Sequence, residues 1–579
     1  MKNIVVDWSS RNDSDSVISI LNFIDRNEKN IRDKYLQFLF DLENERVSQI
    51  SLINTADKRG YNLWIISQIY EKNFYKSSLN IDFLKILALE EILLNKYKSI
   101  EILNAPKRFF ISIKKICKTS NVSCHFINRS KVNIFKFQNP KILAGIIFLI
   151  ISYIRSLEAR LFLDKQYSIK QNSKISIFSY FYNFKIDATF NKIDFNQWSS
   201  LPEKIKSKYK QSINWFHHFI KHNKVNKISK SIKIINKLNK KDNQDLHYLI
   251  ISNLGFFMFL KIFIVFIYNS LFSKYRKFRD RLFIQNKTRK LYWELFKNDW
   301  DDSFHGKVLM QNLIWIEIYE KILNKLSKQD LGFYLYENQS WEKILIQAWK
   351  RNGHGKIIGF TPNIARYWDL RFSVHSDNIN LRHVMPDKII CVNQITHETL
   401  LDMGFHKNDI IKEYLPLDYN NKYIQPKKIT STTQSDNNII LFGDYEKNIN
   451  YDFLNILQNI KNISQYKFML KCHPANKIKI ERFDKLKLEI IDDEINNLTK
   501  YKNAIVIGAT GVSLELYIKH FNLLIFHNES DLNYSSLKDV NGIKFAYNKE
   551  SLEDYFLNFY SEDMSKNKEE LFFSNKDQD

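Results

Sequence analysis

The chain has 579 residues, of which 44% are hydrophobic and 15% aromatic, and this composition fits two or three packed domains and excludes intrinsic disorder. Its four cysteines form no CxxC pair, which argues against a zinc site or a disulfide framework and favours a reducing, cytoplasmic setting. The net charge of +24 lies wholly before residue 437, because residues 437–579 hold 18 basic and 22 acidic side chains.

Residues 1 to about 135 alternate strand-like and helical runs. "KNIVV" begins as a buried strand, and the chain becomes polar within ten residues, so no secretory signal is expected here. "NLWIISQIYEKN" (62–73) and "IDFLKILALEEILLNKY" have helical periodicity, while "SIEIL" and "SCHFIN" are typical of strands. This alternation predicts parallel α/β layering.

The region from about 140 to 325 is predicted to be a mainly helical, basic insertion. It contains two apolar runs, 142–154 and 254–272, the second interrupted by Lys261. The first is too short to span a bilayer and the second is borderline with a charge at its middle. We therefore expect helices that lie in the membrane interface or pack in the core.

Much of the positive charge lies between about 203 and 290, in the runs 221–241 and 273–290. Three explanations stay open: a nucleic-acid-binding face, a surface that meets anionic lipid, and a general enrichment in lysine. No zinc finger, RNP aromatic motif or clear helix-turn-helix accompanies the charge, so we predict no nucleic-acid partner.

The α/β rhythm resumes after the insertion and continues to the end of the chain. We predict an N-terminal domain over 1–418, a polar linker over 419–438, a C-terminal domain over 439–560 and a polar tail over 561–579. The predicted fold class is α/β, with two Rossmann-like domains whose carboxyl strand ends face a cleft.

Three polar clusters follow predicted strands of the C-terminal domain, where open α/β sheets bind their ligands. A short Gly/Thr/Ser turn before a helix presents backbone N–H groups and hydroxyls to an anion, usually a phosphate. Each cluster alone is also compatible with an ordinary turn or helix cap, and together they predict a nucleotide-phosphate site. The clusters comprise Gly443 with Asp444, Lys471 with His473 and Pro474, and Thr510, Gly511, Ser513 and Glu515.

The pair "KCHP" and, some 40 residues later, "GATGVSLE" resembles the donor-binding half of bacterial GT-B glycosyltransferases with an HP motif, such as sialyltransferases, polysialyltransferases and capsule polymerases. The runs "NLWIISQIYEKNFYKS", "LALEEIL", "YENQSWEKILIQAW" and "YWDLRF" resemble a bacterial surface carbohydrate biosynthesis family. This likeness covers most of the chain and implies a GT-B-like fold.

The resemblance implies that His473 contacts the phosphate of a nucleotide-sugar and that Thr510 and Ser513 bind the same phosphate. Preorganised donors of this kind stabilise a leaving phosphate without a metal, and no DxD motif stands in a donor-like position, so no cofactor and no metal are expected. Lys471 is expected to add charge or an ion pair at the cleft, with a solvated lysine as the alternative.

A transferase also needs a general base for the acceptor hydroxyl. The acidic pair followed by glycine that related sialyltransferases use is missing here. Glu337 is the first candidate and Asp369 the second, although Glu337 is also placed to cap a helix and Asp369 to pair with Arg366 or Arg371. These two arginines and His354 are candidate contacts for an acidic sugar or acceptor, with a simple Gly-His-Gly turn as the alternative for His354.

The sequence thus predicts a glycosyltransferase of surface polysaccharide (lipopolysaccharide or capsule) biosynthesis. Its expected partners are a nucleotide-sugar donor, with CMP activation as one candidate, a glycan or lipid-linked acceptor, and an anionic membrane surface. We expect a cytoplasmic protein peripheral to the inner face of the membrane. A polyol-phosphate transferase, a non-catalytic relative and a basic nucleic-acid-binding protein are the alternatives.

Overall fold

The computed structural model describes residues 3–95, 97–127, 140–164, 173–182, 184–186, 193–222, 225–240, 245–361, 364–374, 379–412, 437–473, 478–493, 495–498, 501–519 and 521–557. Apart from residues 437 and 438, the predicted linker and the predicted tail lie outside these ranges.

Residues 3–127 build a first parallel sheet covered by helices. Its strands are β1 (Asn3–Asp7), β2 (Val17–Ser19), β3 (Ser99–Leu103) and β4 (Ser123–Ile127). Its helices are α1 (Ile20–Arg26), α2 (Glu28–Asn44), α3 (Gln68–Glu71), α4 (Leu79–Leu93) and α5 (Phe110–Thr119). The strand order is β2-β1-β3-β4, and every neighbouring pair is parallel.

Residues 141–412 build a second, seven-stranded sheet. Its strands are β5 (Ile175–Phe181), β8 (Ile213–Phe219), β9 (Leu246–Leu249), β10 (Leu331–Leu335), β11 (Lys356–Thr361), β12 (Lys388–Cys391) and β13 (Ile410–Lys412). A separate antiparallel hairpin is formed by β6 (Phe184–Ile186) and β7 (Ile193–Phe195). The helices of this segment are α6 (Lys141–Phe162), α7 (Leu201–Tyr209), α8 (Ile228–Lys240), α9 (Phe256–Phe272), α10 (Lys274–Arg279), α11 (Trp293–His305), α12 (Lys307–Lys325), α13 (Ser340–Arg351) and α14 (Gln394–Asp402). Of these, α10 and α11 pack in the core of the first sheet.

The order of this sheet is β13-β12-β11-β10-β5-β8-β9, with all pairs parallel. Counted along the chain, the strands run 7-6-5-4-1-2-3, which is the doubly wound Rossmann order with one added edge strand. The region 140–325 is mainly helical, as expected, but it also supplies β5, β8 and β9. The strands after residue 331 therefore pair with this region, and the segment 1–418 holds two parallel sheets.

The C-terminal sheet has six parallel strands. They are β14 (Asn438–Phe442), β15 (Lys467–Lys471), β16 (Lys487–Ile490), β17 (Asn503–Ile507), β18 (Asn522–Phe526) and β19 (Lys544–Ala546), with helices α15 (Lys447–Leu457), α16 (Val512–Ile518) and α17 (Lys549–Leu557). The order β16-β15-β14-β17-β18-β19 is again the Rossmann order 3-2-1-4-5-6. The predicted α/β fold with two Rossmann-like domains is confirmed by these strand orders.

The first sheet also contacts the C-terminal part of the chain. Arg11, just after β1, donates to the carbonyl of Asp531 at 2.7 Å, and Lys85 of α4 donates to the carbonyl of Ser530 at 3.4 Å. The ring of Phe74 stacks on that of Tyr534 with 4.2 Å between centroids. One loop after β18 is thus held by the first sheet and its helices.

Candidate functional site

Strands β14 and β17 lie side by side where the order of the C-terminal sheet reverses. Gly443 and Asp444 follow β14, and Gly508 follows β17 with a φ of +74°. A Cβ at Gly508 would stand 2.2 Å from Oδ2 of Asp444, so only glycine lets this carboxylate pack against the β17 turn. Oδ1 of Asp444 accepts the N–H of Glu446 at 2.7 Å, and burial raises the pKa of Asp444 to about 6.

Gly508→Ala is expected to lower the free energy of unfolding by about 1–3 kcal/mol, because the new methyl group would be strained by the positive φ and would displace Asp444. Gly511→Ala is the matched control, since Gly511 has a φ of −65° and no atom within 4 Å of an added Cβ. Urea denaturation measures both. An equal loss in the two variants would contradict the packing of Asp444 against Gly508.

The turn between β17 and α16 carries Thr510, Gly511 and Ser513. The Ser513 hydroxyl donates to the carbonyl of Thr510 at 2.9 Å, so it closes the turn. The buried Oγ1 of Thr510 has no hydrogen-bond partner among the described residues. Gly511 is exposed, and Glu515 is half-buried in the first turn of the seven-residue helix α16. Thr510 is therefore the hydroxyl of this turn that is best placed for a ligand.

His473 follows β15, the neighbour of β14 on its other side. Its backbone nitrogen would lie 3.5 Å from a Cβ at Gly443, so the two strand ends approach closely. The ring centroid of His473 is 6.3 Å from that of Tyr445, and burial lowers the pKa of His473 below its usual value. The imidazole is consequently neutral at pH 7 and keeps one N–H donor.

Lys471, the last residue of β15, is used within the fold. Its ammonium donates to the carbonyls of Asp492 and Asp493 at 3.4 and 2.5 Å, beyond the end of β16. Its predicted role at the donor phosphate thus competes with these bonds. Pro474, the other neighbour of His473 in the motif, lies outside the described residues.

The seven-stranded sheet has its own reversal between β5 and β10, and Glu337 stands just beyond the end of β10. The side chain of Glu337 is 31% exposed and accepts a hydrogen bond from the amide of Gln339. The first N–H of helix α13, that of Ser340, is accepted by Oε2 of Glu71 at 3.2 Å, so another residue fills the capping role considered for Glu337. The Glu342 carboxylate accepts the N–H of Asn338 at 2.8 Å and that of Glu337 at 3.1 Å in the turn before the helix. Burial, and then the Glu337 charge, raise the pKa of Glu342 to about 8. Glu337 therefore keeps a carboxylate open to solvent.

Asp369 is buried in an ion pair. Its two carboxylate oxygens accept from Nε and a terminal nitrogen of Arg371 at 2.7 and 2.5 Å, and its side chain is 5% exposed. Another terminal nitrogen of Arg371 lies 3.9 Å from Glu337. Arg371 thus occupies both oxygens of Asp369, which is the ion pair that the sequence offered as the alternative to a role as the base.

Arg366 connects the two Rossmann-like sheets. It lies beyond the carboxyl end of β11, donates to the carbonyl of Ala509 beyond β17 at 2.8 Å, and also donates to the Tyr75 hydroxyl. The guanidinium of Arg371 lies 5.9 Å from the centre of the Tyr75 ring. Contacts thus run from Glu337 through Arg371, Tyr75 and Arg366 to the β17 turn, so residues beyond the carboxyl ends of both sheets meet here, where the cleft is predicted.

Tyr75 and Tyr445 were missed as site residues. They are 49% and 44% exposed, and the Tyr75 hydroxyl accepts the Arg366 bond at the cleft. Tyr75 lies within the run "NLWIISQIYEKNFYKS", and Tyr445 lies in "ILFGDYEKN" beside Gly443 and Asp444. The sequence does not show that the loop after α3 reaches the other sheets.

His354 is not brought to this cleft. It precedes β11, at the amino end of the strand, whereas Glu337 and Arg366 follow carboxyl ends. Its Nδ1 accepts the N–H of Gln329 at 3.2 Å, and its Nε2 lies 3.2 Å from the carbonyl of Leu323. Both ring nitrogens thus fasten the turn before β11, and this placement corrects the expected contact of His354 with acceptor or acidic sugar.

No group of three or more His, Cys, Asp or Glu side chains suited to a metal ion occurs in the part of the chain that the structure describes. Metal independence stays a prediction.

No family model and no curated protein matches the chain. Similar solved structures include the calicheamicin glycosyltransferase CalG4, with 8% identity, a TM-score of 0.35 and coverage of 68% of this chain and 91% of that one. UDP-N-acetylglucosamine 2-epimerase from Rickettsia bellii has 10% identity, a TM-score of 0.35 and coverage of 69% and 89%. A UDP-forming trehalose-phosphate synthase from Burkholderia xenovorans has 8% identity, a TM-score of 0.34 and coverage of 68% and 92%.

Proposed function

We propose that the cleft binds a nucleotide-activated sugar and transfers the sugar to an acceptor hydroxyl. The observation that carries the proposal is the contact of Arg366 with the Ala509 carbonyl, which joins the carboxyl edges of two Rossmann-order sheets. Open sheets of this order bind ligands outside their carboxyl ends where the strand order reverses. A ligand in this cleft can meet groups of both sheets at once.

The proposed roles follow from the chemistry of each group. Glu337 takes the proton of the acceptor hydroxyl, whose oxygen attacks the anomeric carbon of the sugar. The bond from that carbon to the phosphate oxygen breaks, and the nucleotide leaves with its charge. Neutral His473 and the Thr510 hydroxyl donate hydrogen bonds to the leaving phosphate, and the Arg366 charge is close by.

The finer assignment rests on the motifs alone. We propose a surface polysaccharide such as lipopolysaccharide or capsule as the product, a glycan or lipid-linked molecule as the acceptor, and a CMP-activated donor as the first to test. The proposed location is the inner face of the cytoplasmic membrane.

The test is an assay of sugar transfer by the full chain, with the products identified by mass spectrometry. CMP-, UDP- and GDP-sugars are compared with a CDP-polyol on a mixed glycan acceptor. A mass gain of one sugar, with release of the nucleotide, is expected. A gain of a polyol phosphate would replace the proposal by a phosphotransferase, and no product with any donor would favour a non-catalytic relative.

A further inference from the structure

Helix α6 presents large apolar side chains to solvent as well as to the core. Its buried residues are Gly145, Leu149, Ser152, Ser156 and Ala159, and Ile142, Ile146, Phe148 and Tyr153 pack partly buried against the core. Its exposed large apolar residues, with exposed fractions between 39% and 82%, are Leu143, Ile147, Ile150, Ile151, Ile154, Leu157, Leu161 and Phe162. Arg155 is exposed among them. A surface helix in water normally turns mainly polar and charged residues outward.

Helix α9 also presents large apolar residues to solvent. Phe257, Ile264 and Phe272 are 86%, 66% and 71% exposed, while Ile262 and Phe266 are buried. Lys261, the one charge of this helix, binds the Glu317 carboxylate of α12 at 2.6 Å, although its side chain is 56% exposed. The outward side of α9 is thus apolar apart from this paired lysine.

The two helices pack against each other in antiparallel directions. Gly145, near the start of α6, lies against the Phe266 ring near the end of α9, where an added Cβ would stand 2.5 Å from the ring. Tyr153, further along α6, lies 4.9 Å from the ring of Phe259 in the first turn of α9. The exposed apolar residues of α6 and α9 are called the apolar face below. So large an exposed apolar area marks an interaction surface.

Exposed cations flank the apolar face. Helix α8, packed beside α6, displays Lys230, Lys233, Lys237 and Lys240 at helical spacing on its outer side. The Lys233 ammonium lies 5.5 Å from the centre of the Phe162 ring, at the end of the apolar face. Beyond α9, a second group of exposed cations comprises Lys274, Arg276 and Lys277. Apolar residues bordered by Lys and Arg match the acyl and headgroup layers of an anionic bilayer.

We propose that the apolar face inserts into the headgroup and acyl boundary of an anionic membrane, with α6 and α9 parallel to its plane. Helix α6 and the helical stretch Phe256–Ile284, which begins with α9, are apolar enough to span by length and composition, with a mean hydropathy of 1.9. However, α6 is attached to the protein along its length. Lys141 binds Asp302 at 3.0 Å, Ser156 donates to the Leu254 carbonyl at 2.8 Å, and the Phe162 carbonyl accepts from Asn236 at 2.7 Å.

A spanning orientation would draw the attached α/β sheet into hydrocarbon, where its polar loops would be unsatisfied. Insertion parallel to the membrane leaves these contacts in place. The proposal does not depend on the activity proposed above, because it rests on the apolar face and the neighbouring cations alone.

Flotation of the full chain with vesicles of phosphatidylcholine and phosphatidylglycerol tests the proposal. The double variant Ile154→Gln with Ile264→Gln removes side chains that are 57% and 66% exposed on the apolar face. The matched control, Ile111→Gln with Leu94→Gln, removes side chains that are 54% and 70% exposed on the first sheet's helices and their ends. We expect the first double variant to lower the partition coefficient about tenfold and the control to leave it within about twofold.

A charge variant, Lys230→Gln with Lys233→Gln and Lys237→Gln, is expected to lower binding to the anionic vesicles about tenfold or more and to change binding to pure phosphatidylcholine little. A wild-type chain that never floats with anionic vesicles would overturn the proposal. So would equal losses in the apolar-face variant and its control. If the wild-type chain is a dimer without lipid and the apolar-face variant is a monomer, the face binds a second copy and the membrane assignment is wrong.

Discussion

Glu337→Gln is expected to lower kcat for sugar transfer by about 10²–10⁴-fold and to leave nucleotide affinity nearly unchanged. The amide has the shape of the carboxylate but cannot take a proton from the acceptor. Glu337 stands beyond β10 with a partly exposed side chain, so the substitution removes no buried charge. The effect is measured by chromatography of the nucleotide released from the donor, with donor and acceptor both at saturating concentrations.

Asp369→Asn is the contrasting variant. It leaves Arg371 buried with half of its ion pair, so we expect a loss of about 3–5 kcal/mol in the free energy of unfolding. Any fall in turnover should follow the fraction of unfolded protein. Wild-type turnover in Glu337→Gln would remove Glu337 as the base. A stable Asp369→Asn protein without turnover would transfer that role to Asp369.

His473→Ala is expected to raise the Kd of the preferred nucleotide about 10- to 100-fold, because a hydrogen bond to a charged phosphate contributes about 1.5–3 kcal/mol. His406→Ala is the matched control: His406 is exposed and lies before β13, at the amino edge of the seven-stranded sheet. Isothermal calorimetry measures both. Equal affinities for the wild-type chain and His473→Ala would contradict a donor site at β15.

The same variant has an expected pH dependence. Burial lowers the pKa of His473, so the imidazole is neutral at any pH above the usual pKa of histidine and binds through its N–H. The ratio of the nucleotide Kd of His473→Ala to that of the wild-type chain should therefore stay constant from about pH 7 to 9. A ratio that falls steeply over this range would indicate that a protonated imidazole binds the phosphate.

The strands of the C-terminal sheet, and so the points where the polar clusters leave them, could be predicted from the sequence. The run "KFMLK" forms β15, "AIVIG" forms β17, and each polar cluster follows its strand directly. Local order explains this success, because apolar runs of strand length bounded by Gly, His or Pro leave few alternatives. The chain order of the strands then places His473 and Thr510 at one edge of the sheet.

The run 62–73 was predicted as a helix, and this prediction was wrong for most of its length, since only α3, four residues long, forms there. The Asn62 side chain accepts the N–H of Trp64 at 2.9 Å and donates to the carbonyls of Leu52 and Ile53. These bonds compete with the helical backbone. The periodic apolar residues are buried in a turn instead, and the following loop carries Tyr75 to the cleft.

The strands β5 and β8 were also not predicted, because "ISIFSYF" and "INWFHHF" lie among basic, helical segments. The pairing of β5 with β10, in which Ile175 lies opposite Leu331, depends on tertiary contacts between distant segments. The hydrogen bond from Arg366 to the Ala509 carbonyl also joins distant segments, and the sequence around neither residue predicts the contact with the other. Contacts between distant segments are the part of this site that one sequence does not show.

The most direct test of the central claim is calorimetric titration of the wild-type chain with CMP, CDP, UDP and GDP. A nucleotide that binds the native cleft should also raise the Tm, as required for a ligand of the folded state. We expect one of the four to bind with a single site per chain and to lose affinity in His473→Ala. Binding of none of them, together with salt-dependent binding of DNA or RNA through the lysines of 221–241, would contradict the account.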